Sequence, residues 1–381
     1  MLCARLTVTR RDSTVAGFRR TQSQLQVGAV NHKQKLQLLV GIIIGVALLA
    51  WFLHGQNWSE IADAFRRARV SYLFGLVAAT IVAYAVRSWR WGLLYRPLAS
   101  VPFADLHSAT YVGFMSGQLV PRAGEVLRPY LVARRHPVSV GAGLATIILE
   151  RLIDLITVLV LLALYIYVLP MPAEQVRGPV LDRLKMAGAA AGAIAAAVLV
   201  VLVLFHIYAE KALAVADKVL AWFPELIARP FRGLVKSFGE GLAVLKAPAT
   251  LWLMIAGGSI VLWLSIAYGF HFNNQAFGIT LPLHATFLLI AFLVVGVAIP
   301  TPGNVGGFHI FYLYAMRDAF GIAQETSAAA GISAHAISNL VVLVIGLAFL
   351  AREGLTMGKV AELAGKQDDK KDDKRQDKAK Q

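Results

Sequence analysis

The stretch that decides the fold is HATFLLIAFLVVGVAIPTPGNV, residues 284–305, in which an apolar run ends in a break rich in Pro and Gly. The apolar part, 284–300, is shorter than the ~20 residues that a helix needs to cross hydrocarbon. A second short apolar stretch, 103–120, runs into a similar break, VPRAGEV at 120–126. A short apolar helix followed by a breaker favours a re-entrant or broken helix over a full crossing.

Longer apolar stretches flank these two segments, and each is long enough to span a bilayer. Hydrophobic residues make up 57% of the chain, against ~45–50% in soluble proteins, and a soluble fold could not bury so much apolar surface. The sequence predicts an all-α polytopic membrane protein with about six full transmembrane helices plus two re-entrant or broken helices. The predicted spans are 36–54, 71–95, 138–169, 186–208, 249–271 and 326–351.

The two breaks resemble each other. VPRAGEV (120–126) and IPTPGNV (299–305) align without gaps as an apolar residue, Pro, two variable positions, Gly, a polar residue and Val. Three predicted spans separate them, so the two segments should enter the membrane from opposite faces. Such an arrangement is typical of inverted-repeat transporters, in which broken helices bind the substrate near the midplane. We therefore predict an inverted pseudo-repeat.

The membrane domain is predicted to cover 36–355, between a basic tail at 1–35 and a charged tail at 356–381, both expected to be disordered. The net charge is +15, but most of the 37 Lys and Arg residues lie in the tails and in alternate loops beside the spans. That pattern marks the cytoplasmic side of a membrane protein and not a nucleic-acid surface. We expect a bacterial cytoplasmic (inner) membrane protein with both termini in the cytoplasm and no nucleic-acid partner.

Three charged residues interrupt the span 138–169: Glu150, Arg151 and Asp154. Each costs about 2.5–3.5 kcal/mol at the centre of a bilayer on insertion scales. Glu150 and Asp154 share one helix face at i,i+4, and Arg151 reaches Asp154 at i,i+3. Because this group has a net negative charge, another cation should lie opposite it.

Candidates for that cation are Arg87 and Arg90 on the span 71–95, and Arg122 in the first break. Charges on several elements at membrane depth favour a functional cavity that binds a polar substrate. The alternative is that these charges only hold the helices together through a buried ion network.

The first break has the composition of an anion site. Its Pro ends the re-entrant helix, Gly124 permits a tight turn, and a new helix should begin near Glu125. Free N–H groups at that helix start, with Arg122 beside them, would bind a phosphate-sized anion. Glu125 would pair with Arg128 or with a cationic head group. The alternative is an ordinary interfacial turn whose arginine reaches towards water.

The second break supplies unwound backbone without charge, at Pro302, Gly303 and Asn304, and we assign these residues to substrate binding. His309 and His335 follow, but their spacing predicts no metal site. Cys3 is the only cysteine, which excludes an intramolecular disulfide. We expect no cofactor, no metal and no catalytic residue of a recognisable type.

Three segments resemble one known family: SGQLVPRAGEVLRPYLVARR (116–135), ATIILERLIDL (145–155) and VVGVAIPTPGNVGGFHIFYLYA (294–315). The resemblance is to the membrane domain of lysylphosphatidylglycerol synthetase/flippase proteins and covers roughly 36–355. In that family the membrane domain is taken to move aminoacylated phosphatidylglycerol between leaflets, and relatives accompany polyprenyl-phosphate sugar and hopanoid pathways. The soluble aminoacyltransferase half is replaced here by a charged tail, so the resemblance implies a stand-alone, transporter-like domain and no tRNA-dependent aminoacylation.

We therefore expect a flippase-like lipid translocator that moves a phospholipid or a polyprenyl- or hopanoid-linked head group. The expected partners are membrane lipids with an anionic or phosphate-bearing head group. A separate lipid-modifying synthase and a second copy of the chain stay open as partners. The alternative functions are a polytopic enzyme of lipid or glycolipid biosynthesis, with Glu125, Glu150 or Asp154 as base, and an accessory subunit of such an enzyme.

Overall fold

The computed structural model of the chain describes residues 32–119, 123–169 and 237–352, and isolated positions between 182 and 233. Within these residues the structure is helical and contains no strand. Short 3-10 turns lie at Leu242–Lys246 and Pro302–Asn304, and a π-helical turn lies at Tyr314–Ala319. The α-helices are α1 (His32–Leu53), α2 (Trp58–Arg67), α3 (Val70–Tyr95), α4 (Phe103–Leu119), α5 (Ala123–Ala133), α6 (Val140–Tyr167), α7 (Ala249–Ala276), α8 (Ala285–Ala298), α9 (Gly307–Leu313) and α10 (Gln324–Arg352).

Helices α3, α7 and α10 are long and apolar enough to cross a membrane, and α1 with α2 makes a fourth candidate bent by 84°. Less than a third of the most apolar part of α3, α7 and α10 is buried. Phe74 and Leu253, for example, are 71% and 72% exposed, as lipid contact requires. The prediction of an all-helical membrane protein is confirmed, and three to four spans are recognisable among the described helices by length and apolarity alone.

Helices α3 and α7 form the centre of the bundle and run antiparallel. Phe272 packs against Gly75 near the start of α3, and Trp89 packs against Gly258 near the start of α7. The backbone N–H of Arg69, just before α3, donates to the carbonyl of Ala276 at the end of α7 over 2.8 Å. Each helix therefore ends where the other begins.

The two short apolar segments are the first arms of helical hairpins. Helix α4 packs against α5, and α8 packs against α9. Each pair crosses at two glycines, Gly113 with Gly124 and Gly296 with Gly307. A Cβ atom on Gly124 would overlap the carbonyl group of Gly113, and one on Gly307 would overlap that of Gly296. The number of residues between the two glycines is the same in both hairpins.

The hairpins begin at opposite ends of the α3–α7 pair. Helix α4 follows the end of α3, whereas α8 follows the end of α7, and these two ends lie apart because the helices are antiparallel. Helix α10 contacts both hairpins, through Met115 against Gly346 and Tyr312 against Gly331. Both hairpins are thus packed into one bundle.

Helix α1 already begins at His32, so the last residues of the predicted tail 1–35 are helical. The rest of that tail, most of the predicted span 186–208, and the tail 356–381 lie outside the described residues.

Candidate functional site

A cavity of about 500 Å³ lies where the two hairpin breaks meet the bundle. Gly124 and Glu125 of the first hairpin and Pro300, Thr301 and Asn304 of the second line it together. Helices α3, α6, α7 and α10 supply the remaining walls. Segments far apart in sequence thus meet around one space, which is in the size range of small-molecule sites.

Arg128 of α5 and Glu150 of α6 form a forked ion pair beside this cavity. Nη1 and Nη2 of Arg128 lie 3.2 and 2.9 Å from Oε1 and Oε2 of Glu150. The two side chains are 1% and 0% exposed, and the Arg128 guanidinium lies over the Trp91 ring at 4.2 Å. Two parallel charge-assisted hydrogen bonds and a stacked ring fix both groups.

Asp154, one helical turn after Glu150, is the second anionic centre. Arg90 Nη2 and Arg87 Nη1 lie 2.6 and 3.1 Å from its two oxygens, and Trp263 Nε1 donates to it over 3.3 Å. Nη1 of Arg90 also donates to Ser259 Oγ over 2.7 Å. The predicted coupling of the α6 carboxylates to Arg87 and Arg90 is confirmed.

We call Arg87, Arg90, Arg128, Arg151, Glu150 and Asp154 the ion cluster. It joins α3, α5 and α6, and Arg87 connects its two carboxylates because Nη1 also lies 3.4 Å from Glu150 Oε1. Four guanidinium groups face two carboxylates, so the cluster carries an excess of two positive charges. An excess of this sign favours an anionic ligand.

Phe114 of α4 lies among three of these cations. The guanidinium carbons of Arg87, Arg128 and Arg151 lie 5.1, 5.3 and 5.5 Å from its ring centroid. The negative faces of an aromatic ring offset the repulsion between like charges. Phe114 also lines the cavity, so it holds the cationic wall in place.

Of the two partners predicted for Glu125, Arg128 or a cationic head group, the structure excludes Arg128. Arg128 pairs with Glu150 and not with Glu125, because a buried carboxylate needs a permanent cation more than an exposed one does. Glu125 is exposed, lines the cavity, and has no ion-pair partner among the described residues. Gly124 permits the close crossing with Gly113. Arg122 lies outside the described residues.

In the second break, Asn304 lines the cavity, whereas Pro302 and Gly303 do not. The Gly303 carbonyl accepts a hydrogen bond of 2.7 Å from Nε2 of His335, so this backbone is anchored to α10. Gly303 and Asn304 both have positive φ, +62° and +57°, a conformation that Gly and Asn tolerate best. Pro300 and Thr301 line the cavity beside Asn304, where Pro302 and Gly303 were predicted.

Phe114, Trp263 and Ser259 are among the residues of the site that sequence reasoning missed. Each lies within an apolar helix, where an aromatic or hydroxyl residue at helical spacing gives no sign of its partner. The charged residues could be identified from the sequence because placing a charged side chain within the bilayer costs free energy. Among the described residues no group of three His, Cys, Asp or Glu side chains is placed to hold a metal ion.

Comparison with known proteins agrees with the resemblance in the hairpin motifs. A family model for the lysylphosphatidylglycerol synthase TM region matches residues 38–346, which include both hairpins and the ion cluster. A UPF0104 membrane protein of Methanothermobacter thermautotrophicus is 24% identical over 341 residues, covering 84% of this chain and 96% of that protein. No solved structure matches the chain. The chain therefore belongs to the family of lysylphosphatidylglycerol synthase transmembrane regions, a membrane domain tied to lipid modification or translocation.

Proposed function

We propose that the chain is a flippase-like lipid translocator whose cavity carries a phosphate-bearing head group between leaflets. The observation that supports this most is the cationic wall of a cavity bounded by both hairpin breaks. An anionic head group placed there would neutralise the excess charge of the ion cluster. Its acyl or isoprenoid tail would stay in lipid along the exposed apolar faces of the helices.

We further propose that the architecture is six crossings with two re-entrant hairpins in an inverted pseudo-repeat. The hairpins start at opposite ends of the antiparallel pair α3 and α7, and their breaks line the same cavity. In inverted-repeat transporters this arrangement lets one central site open to either face in turn. A head group bound between the breaks would then be accessible from each leaflet alternately.

A second candidate function is an enzyme of lipid modification with Glu125 as general base. It rests on the exposed carboxylate of Glu125 at the cavity wall, without an ion-pair partner among the described residues. Glu150 and Asp154 are poorer bases because each is engaged by arginines. An enzyme would change the mass of the lipid, whereas a translocator changes only its leaflet.

Obstructing the cavity tests the translocator directly. Val294→Trp places a large ring at the cavity wall, and we expect it to slow the leaflet exchange of a fluorescent phosphatidylglycerol in proteoliposomes by at least about tenfold. The matched control is Val295→Trp on the next, 48% exposed position of α8, which should exchange lipid at the wild-type rate. Equal rates of lipid exchange for the two variants would contradict the proposal. So would a wild-type protein that changes the mass of the lipid and does not move it between leaflets.

The orientation is the second part of the proposal that can be tested. We place both termini in the cytoplasm, which puts the loop after α3 inside and the loop after α7 outside. In a chain whose Cys3 is replaced, Ser100→Cys and Thr280→Cys each introduce a single thiol at an exposed position in one of these loops. An impermeant thiol reagent added to intact cells should label only the cysteine at 280. Labelling at position 100 alone would show that the orientation is the reverse of the one proposed. Labelling at both positions would refute the arrangement in which the hairpins enter from opposite faces.

A further inference from the structure

Arg151 is the least engaged guanidinium group of the ion cluster. Its side chain is 43% exposed, against 9%, 0% and 1% for Arg87, Arg90 and Arg128. Its nearest carboxylate oxygen, Oδ2 of Asp154, is 3.9 Å from Nη1, beyond hydrogen-bond distance. Its donors have no hydrogen-bond partner among the described residues, and the side chain lines the cavity.

Both carboxylates are already engaged by donors other than Arg151. Glu150 accepts from both terminal nitrogens of Arg128 and from Arg87. Asp154 accepts from Arg87, Arg90 and Trp263. A different rotamer of Arg151 would therefore reach only carboxylates whose negative charge other arginines already offset. The excess positive charge of the cluster is most available to a ligand at this residue.

We propose that Arg151 is the residue that binds the anionic phosphate ester of the substrate, whereas Arg90 and Arg128 only neutralise buried carboxylates. The proposal rests on the proposed function, since it names the head-group-binding residue of that cavity. A guanidinium offers a planar fork of donors that matches phosphate oxygens. The ring centroid of Phe114 lies 5.5 Å from the guanidinium carbon of Arg151, and this cation–π contact helps to hold the fork at the cavity wall.

A binding role and a packing role predict opposite effects on stability. An unneutralised cation beside other cations is destabilising until its ligand arrives, so removing it should not weaken the lipid-free protein. Arg151→Gln should then keep or raise the melting temperature of the lipid-free chain. Arg128→Gln should lower it, because Glu150 would stay buried without its forked partner.

The experiment measures melting temperature of the purified, delipidated full chain against added dioleoylphosphatidylglycerol, dioleoylphosphatidylcholine or inorganic phosphate. We expect phosphatidylglycerol to stabilise the wild type, and Arg151→Gln to need roughly 10- to 100-fold more of it for the same shift. Arg151→Lys, which keeps the charge and loses the fork, should fall between. The matched control is Arg317→Gln, a side chain of similar exposure (39%) that pairs with Asp318, and it should respond as the wild type does.

The lipid series separates the sources of the phosphate. An Arg151-dependent shift with phosphatidylglycerol alone assigns a lipid head group, and one with inorganic phosphate as well assigns the phosphate moiety itself. A wild-type response of Arg151→Gln overturns the proposal, and so does a fall in its lipid-free melting temperature equal to that of Arg128→Gln. Arg151-dependent binding by a wild type that exchanges no lipid would refute translocation and leave the binding role of Arg151 in place.

Discussion

Asp154→Asn is expected to destabilise the protein by about 3–5 kcal/mol, because it leaves buried arginines without a counter-charge. Arg90, which is 0% exposed and lies 2.6 Å from Asp154, and Arg87, which lies 3.1 Å away, lose the negative charge that they share. The excess positive charge of the ion cluster would rise by one in a place that water reaches poorly. We expect little monodisperse protein after extraction, a lower melting temperature and no lipid exchange.

Removing one of the arginines that Asp154 neutralises should restore part of the lost stability. The double variant Asp154→Asn/Arg90→Gln returns the cluster to its original net charge and should regain more than half of the lost melting temperature. Arg90 is the better choice for rescue than Arg87 because it is deeper and closer to Asp154. The control is Asp105→Asn in the more exposed pair with Arg135, 26% and 40% exposed, where a loss of less than about 1 kcal/mol is expected.

Two results would show that the ion cluster is not a coupled unit. One is wild-type stability of Asp154→Asn, and the other is a double variant no more stable than the single one. A double-mutant cycle between Asp154 and Arg90 measures the coupling directly, and a buried contact of this kind should give an interaction energy of at least about 1 kcal/mol.

The partners of the α6 carboxylates could be predicted in part because the bilayer limits the choice. A charged residue within a span needs an opposite charge at the same depth, and few other helices carry one. Arg87 and Arg90 were found in this way. The pairing of Arg128 was not, since sequence spacing favours Glu125 at i,i+3 on the same helix. Burial determines the pairing, because Glu150 is 0% exposed whereas Glu125 is exposed at the cavity wall.

The hairpins could be predicted from apolar length and the Pro-Gly breaks, but their equivalence could not be assigned correctly. Alignment of the two break motifs places Gly124 opposite Gly303. In the structure Gly307, and not Gly303, takes the position of Gly124 at the helix crossing. The motif aligns residues that end a helix, whereas the crossing is set by where two backbones come closest. That distance depends on side chains from both arms and leaves no local pattern.

Gly124→Ala should therefore be among the most harmful small substitutions in the protein. The added methyl group would overlap the carbonyl group of Gly113 in the facing backbone, which cannot move aside as a flexible side chain can. Overpacking typically costs about 1–3 kcal/mol, and we expect the upper end of that range. Separation of α4 from α5 would also displace Glu125 from the cavity wall, so lipid exchange should fall along with stability.

The same substitution at Gly117, in the first arm of the same hairpin, is the matched control and should have the opposite sign. The nearest atom to a Cβ there is 4.0 Å away, so Ala gains helix propensity of about 0.5–1 kcal/mol without a clash. In the second hairpin Gly307→Ala is blocked by Gly296, and its control is Gly257→Ala on α7, where a Cβ atom meets nothing within 4 Å. Melting temperatures of the four variants in detergent decide the matter. If Gly124→Ala and Gly307→Ala melt at or above the wild-type temperature, the hairpins do not close on their glycines, and the shared geometry that supports the inverted pseudo-repeat is lost.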